Sequence, residues 1–174
     1  MPIFDTPFVI GVIATALTFG ALVRQSNKGL LGILGFSVFL WAIHYGLLGS
    51  VSGFAVHAVA ACSLFVAHWT LNASLMARSI GAVGFSGAGV ATCWVFGSGI
   101  EDALAAAGCV VITTSQFIAR GNAMRLGFMS GETIFFGFAL MVGSMPGMVV
   151  TAGNFAAGVV GLVRRYRAAR VDFA

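Results

Sequence analysis

Residues 30–53 read LLGILGFSVFLWAIHYGLLGSVSG. The stretch from residue 30 to residue 48 is apolar without a charged side chain, and it runs into a Gly-Ser-Val-Ser-Gly segment, Gly49 to Gly53, where a second apolar run starts. At a rise of about 1.5 Å per residue, a helix needs roughly 17 to 25 residues to cross the hydrocarbon of a bilayer. The segment therefore reads as a membrane-spanning helix, a turn and the beginning of another helix. Its apolarity is continuous and does not alternate in segments of about ten residues, which excludes the strand pattern of a membrane barrel.

The same reading extends over the whole chain. Apolar runs cover residues 7–23, 30–48, 53–71, 79–97, 103–119, 126–142 and 147–163. Only 8% of the 174 residues are charged and 59% are hydrophobic, with a mean hydropathy of +1.01. A soluble domain carries roughly 25% charged residues, so a water-soluble fold is excluded. The 24 glycines suit close packing of helices in lipid, where small residues let backbones approach. The expected fold is an all-α integral membrane protein of seven transmembrane helices, a single membrane domain over residues 1–174 with no separate soluble part.

Charge sets the expected orientation. If the helices alternate in direction, all nine basic residues, from Arg24 and Lys28 to Arg170, fall on one side, and Asp5, Glu101 and Asp102 fall on the other. Short basic loops stay in the cytoplasm, which places the amino terminus outside and the carboxyl terminus inside. The segment before the first run carries Asp5 and no basic residue, so that run is expected to remain as a helix and not to be a cleaved signal. The tail, residues 164–174, reads as a stop-transfer cluster, with a partner-docking segment as the alternative. The sequence pI of about 9.5 then follows from topology and needs no nucleic acid; the expected partner is the lipid bilayer of a bacterial inner membrane. Cys62, Cys93 and Cys109 lie in different runs without metal-ligand spacing and read as small buried hydrophobes, so no metal or cofactor is expected.

The chain also repeats. Gly49-Ser50-Val51-Ser52-Gly53 returns as Gly143-Ser144-Met145-Pro146-Gly147, 94 residues on. Arg24 and Arg120 each close a run and each is read as opening a six-residue basic loop. Residues 7–71 thus form a first triple-helix unit and 103–163 a second, with 79–97 as a linker helix. An odd helix between them leaves the two units in the same orientation, as parallel repeats about an axis along the membrane normal, which is a transporter-like plan.

Arg24-Gln25, His44-Tyr45-Gly46-Leu47-Leu48-Gly49, Gly143-Ser144, Asn154 and Arg164-Arg165 together resemble the bacterial inner-membrane protein YgjV family over most of the chain. That family in turn is similar to the PQ-loop and SWEET sugar transporters. The resemblance implies a 3+1+3, SWEET-like arrangement and a central pocket with an asparagine on the third helix and another on the seventh. Asn154 matches the second, whereas residue 60 is alanine. The chain departs from those relatives in having no Pro-Gln dipeptide and in keeping its three prolines, Pro2, Pro7 and Pro146, at or outside helix ends. A proline-hinged mechanism therefore does not carry over, and Gly32, Gly35 and Gly137 are the candidate bending points.

Ionisable residues inside a membrane are costly and mark function by default. Glu132 is the one charged residue inside any of the runs, about 10 Å along its helix from Arg125. It is a candidate for proton coupling; the alternative is a carboxyl tethered to Arg125. His44 and His57 flank the first Gly-Ser turn at similar depths and are candidates for a gate or proton relay, or else bond backbone and lipid. His68, beside Trp69, reads as an interface anchor. Asn154, Trp41 and Thr151 are the candidate substrate-binding residues, offering an amide, a stacking face and a hydroxyl. Measured from the ends of their runs, Glu132 and Asn154 fall at different levels. Gly84-Phe85-Ser86-Gly87 matches the GxSG pattern of rhomboid proteases, but no histidine follows His68 to serve as a base, so no enzyme is expected. Glycines 81, 84 and 87 read instead as a packing face. The function expected is transport of a small polar solute, sugar-like or another metabolite, by alternating access, with a noncatalytic membrane scaffold as the alternative. Whether copies associate into a homo-oligomer is left open.

Overall fold

A computed structural model describes residues 6–171 apart from 23, 25 and 98, and the side chains of 164, 165 and 167–171 are not described. Asp5 and Gln25, and the side chains of Arg164, Arg165, Arg167 and Arg170, thus lie outside the described residues. Seven helices follow one another: α1 (Thr6–Leu22), α2 (Asn27–Leu47), α3 (Val51–Trp69), α4 (Leu75–Phe96), α5 (Ile100–Ile118), α6 (Gly121–Met141) and α7 (Met145–Val171). Four of them, α2, α3, α4 and α7 over Met145–Val163, are long and apolar enough to cross a membrane, and α1 is a shorter apolar helix. In α5 and α6 the apolar content is diluted by residues that the fold turns inward: Asp102, Thr113, Gln116 and Arg125 are all buried. The outer surface is apolar instead, with Trp94, Met76, Val83 and Phe36 among the most exposed side chains.

The helices start up to five residues before the apolar runs, because a helix begins at its cap and the cap is polar. Ser26, Ser50 and Ser74 accept hydrogen bonds from the amides of Gly29, Gly53 and Ala77. Two expectations are corrected as a result. The six-residue loop after Arg120 is helix: Gly121, at φ 58°, turns the chain directly into α6. Arg125 is consequently a helical residue on the same element as Glu132, so Glu132 is not the sole charge within the helices. The asparagine and carboxylate levels are corrected below.

The repeated Gly-Ser segments fold identically. Gly49 and Gly143 both take positive φ, 81° and 67°. The Gly49 amide donates to the Gly46 carbonyl and the Ser50 amide to that of Tyr45; 94 residues later, Gly143 donates to Leu140 and Ser144 to Ala139. These are the paired bonds that end a helix on a left-handed residue. Each serine then caps the next helix, Ser50 on Gly53 and Ser144 on Gly147, both at 3.1 Å. One residue thus finishes a helix and starts another, and α2–α3 and α6–α7 are tight hairpins.

Six helices contact their neighbours in the cyclic order α1, α2, α3, α5, α6, α7, and α7 returns to α1. Helix α4 stands outside this ring, against α3 and α5. Two buried apolar clusters fill the ring. One, around Leu30, Leu64, Phe117 and Met124, lies toward the end that carries Arg24, Arg120 and Arg125; the other, around Tyr45, Val56 and Phe138, lies toward the Gly-Ser turns. Side-chain hydrogen bonds cross the seams: Thr18 meets Ser37 at 2.5 Å between α1 and α2, and Gln116 donates to Ser63 at 2.5 Å between α5 and α3. The packing face of α4 differs from the three-residue glycine spacing. Gly81 lies over Phe117 and Gly89 over Cys109, both on α5, while nothing approaches Gly84 or Gly87. Of the cysteines, Cys93 and Cys109 are buried as expected and Cys62 is exposed.

Candidate functional site

Inside the ring lies a cavity of about 90 Å³ to which all six ring helices contribute and α4 does not. On α6 its wall is Arg125, Phe128, Met129, Glu132 and Phe135, and on α7 it is Gly147, Val150, Thr151, Asn154 and Gly158. Steps of three and four keep each set on one helical face. That face is inward, which explains how a carboxylate, a guanidinium and an amide fit into helices bounded by an apolar exterior.

Glu132 accepts a hydrogen bond from the Asn154 side chain. The two are level, contrary to the expectation drawn from the run ends. Counted from the shared turn at Gly143, Glu132 lies eleven residues before it and Asn154 eleven residues after it, so a tight hairpin sets them side by side. The amide donates through Nδ2, which leaves Asn154 Oδ1, buried and without a hydrogen-bond partner among the described residues. Asn154 itself is 5% exposed, and Glu132 is half-buried with its accessible part in the cavity wall.

Other anticipated residues fall in place around this pair. Trp41 and Thr151 both line the cavity. The Thr151 hydroxyl donates to the Gly147 carbonyl at 2.9 Å, so it turns lone pairs rather than a proton to the cavity. His57 also lines it, with Nδ1 bonded to the Gly53 carbonyl at 2.8 Å; that nitrogen is the donor, which leaves Nε2 as an acceptor in the neutral ring. His44 is not part of the wall. It is buried, bonds the Pro7 carbonyl at 2.8 Å and lies over Gly11, tying α2 to α1. Both histidines thus bond backbone carbonyls, and Tyr45 contacts both rings, at 5.2 Å from His44 and 4.7 Å from His57. His68 bonds the Lys28 carbonyl at 2.9 Å and so ties α3 to α2. Ser86 of the GxSG segment lines a surface groove between α4 and α5.

Each end of the cavity is crossed by a polar contact that the sequence reading lacks. At one end Tyr45 and Ser144 share a hydrogen bond, joining α2 to the α6–α7 turn. At the other, Arg125 donates to the carbonyls of Leu22, at 3.3 Å, and Arg24, at 2.8 Å, at the carboxyl end of α1. A cation there also meets the negative end of the α1 dipole. Arg120 spans in parallel from α5 to the Leu71 carbonyl beyond α3. Arg125 was legible in principle, since seven residues before Glu132 is two turns along the same face.

The wall repeats as the chain does. Val38, Trp41, His57 and Ala60 all line it, and 94 residues on so do Glu132, Phe135, Thr151 and Asn154. No three acidic, histidine or cysteine side chains gather among the described residues in a way that holds a metal ion. Comparison with curated proteins and with solved structures finds no match to the chain. The family model Imp-YgjV, bacterial inner membrane protein, matches residues 6–169, and the chain belongs to that family.

Proposed function

We propose that the protein is a carrier for a small polar solute, working by alternating access between two three-helix units, α1–α3 and α5–α7. The observation that carries this reading is the cavity walled by all six helices, with Glu132 and Asn154 midway between a Tyr45–Ser144 contact and an Arg125 contact. Contacts that join different units near each end of a central site suit a carrier whose two mouths open in turn. Exchanging α1–α3 with α5–α7 converts the α1–α7 seam into the α5–α3 seam, and both seams are present. The identical turns and matched wall positions support the same 3+1+3, SWEET-like arrangement, with α4 as the linker. All seven helices then span the membrane, the amino terminus is outside, and the arginine end with Arg24, Arg120 and Arg125 is cytoplasmic. In one half-cycle the Arg125 contact opens the cavity inward, and in the other the Tyr45–Ser144 contact opens it outward. Glu132 links the cycle to protons, and no covalent chemistry is involved.

Thermal stability of the purified protein against sugars, amino acids and nucleosides tests the site, since a ligand bound only by the folded state stabilises it. A saturable shift lost in Asn154→Ala is expected. An absence of any shift favours a scaffold that keeps the architecture without transport. For the proton link, solute flux into proteoliposomes should lose its pH dependence in Glu132→Gln; unchanged flux and pH dependence would rule the link out.

A further inference from the structure

Four groups of the cavity wall offer lone pairs. Glu132 contributes carboxylate oxygens, Asn154 a buried Oδ1 with no partner among the described residues, His57 its Nε2 lone pair and Thr151 its hydroxyl oxygen. All four accept. Several donors on the same wall are engaged: Asn154 Nδ2 with Glu132, the Thr151 proton with Gly147, and two Arg125 nitrogens with the α1 carbonyls. The bond that Glu132 receives comes from a neutral amide, so in its ionised form the carboxylate has charge to offer an entering cation.

Around these acceptors stand aromatic faces, Trp41, Tyr45 and Phe135. Such faces attract cations, with Trp the most effective. Acidic side chains also stand near the Ser50 turn, at the end of the molecule where Tyr45 meets Ser144. A surface pocket beside the Ser50 turn is lined by Glu101 and Asp102 and by Phe138, and Phe138 packs on Tyr45 and Phe135 of the cavity wall. Clefts lined by one sign of charge concentrate ions of the other.

Resting on the carrier reading above, we infer that the solute is a small organic ammonium: a compact amine whose N–H groups donate to Glu132, Asn154 Oδ1 and their neighbours while its carbon frame lies against the rings. The cavity of about 90 Å³ is the room that such a compact solute would take. An alkylamine is charged at neutral pH, as the lysine head group is.

The test compares cyclohexylamine with cyclohexanol, matched in shape and size, by calorimetric titration of the purified full chain, with glucose as a third probe. Cyclohexylammonium is expected to bind at least about tenfold more tightly than cyclohexanol, the gain of a charge-assisted over a neutral hydrogen bond. Glu132→Gln is expected to erase that preference. Equal binding of amine and alcohol by the native protein overturns the inference without recourse to any variant, and so does a preference that survives in Glu132→Gln. If glucose binds and loses its affinity in Asn154→Ala while cyclohexylammonium fails to bind, the carrier reading stands and the ammonium inference falls. If none of the three binds, the pocket on which both rest is lost.

Discussion

Set α1–α3 beside α5–α7 and the turn between second and third helix keeps every hydrogen bond, while the side chains at matching heights change character. Val38 and Ala60 stand where Glu132 and Asn154 stand 94 residues later, and Leu31 stands where Arg125 does. The first unit supplies an apolar, aromatic half of the wall with His57 at its edge; the second supplies the carboxylate, the amide and the guanidinium. Backbone plan and pocket chemistry are therefore separable. For the carrier proposed above, a symmetric ring with one polar wall would hold its solute in a single orientation, which a wall with the same groups on both sides would not.

The largest effect is expected when the second unit is made to match the first. Glu132→Val with Asn154→Ala should abolish saturable solute binding. Folding stability should remain level or rise, because replacing both partners of a buried hydrogen bond by apolar groups is nearly neutral. Measuring ligand shift and unfolding together separates the two outcomes. Adding Val38→Glu and Ala60→Asn should then restore binding from the opposite wall, and failure to do so would show that the halves are not interchangeable. Next comes Arg125→Lys. The planar fork that serves two carbonyls is lost, and the hydrogen bonds of a charged donor are worth about 1.5 to 3 kcal/mol, so a destabilisation near the lower figure is expected in detergent unfolding.

Smaller effects probe the shared backbone. Gly49→Ala and Gly143→Ala should each cost about 1 to 2 kcal/mol, and by nearly equal amounts, since both glycines are left-handed and neither has an atom within 4 Å of an added Cβ. Unequal values in unfolding titrations would break the equivalence of the turns. The smallest is a difference: Ser50→Ala removes a cap of about 1 kcal/mol, and Ser144→Ala should cost more by the value of one hydrogen bond, because Ser144 also bonds Tyr45. Placing Tyr45→Phe in both backgrounds should remove that excess.

The sequence conveyed the helices and the turns because their signals are local: unbroken apolarity, and a Gly-Ser pair where the chain must go left-handed and then cap. Glu132 and Asn154 stood out as polar groups in apolar runs. Their pairing did not, because depth was measured from the ends of the runs rather than from the turn they share. Arg125 was set aside as a flank for a related reason, since a run defined by apolarity stops at the first charge whereas the helix continues through it. Tyr45 with Ser144 and Gln116 with Ser63 join residues far apart in the chain, and no spacing rule reaches them. The glycines of α4 show the opposite failure, a regular spacing whose facing side is decided only by Phe117 and Cys109 on another helix.

The hairpin geometry also bears on how the chain enters the membrane during synthesis. With α6 spanning the bilayer as proposed above, its Glu132 carboxylate must find a partner or be left bare. Its partner lies on the next helix at the same distance from Gly143, so the bond closes as soon as α6 and α7 fold against each other about that one glycine. The two helices can therefore insert as a unit with the carboxyl already bonded, independently of the arrival of α1–α3 at the far side of the ring.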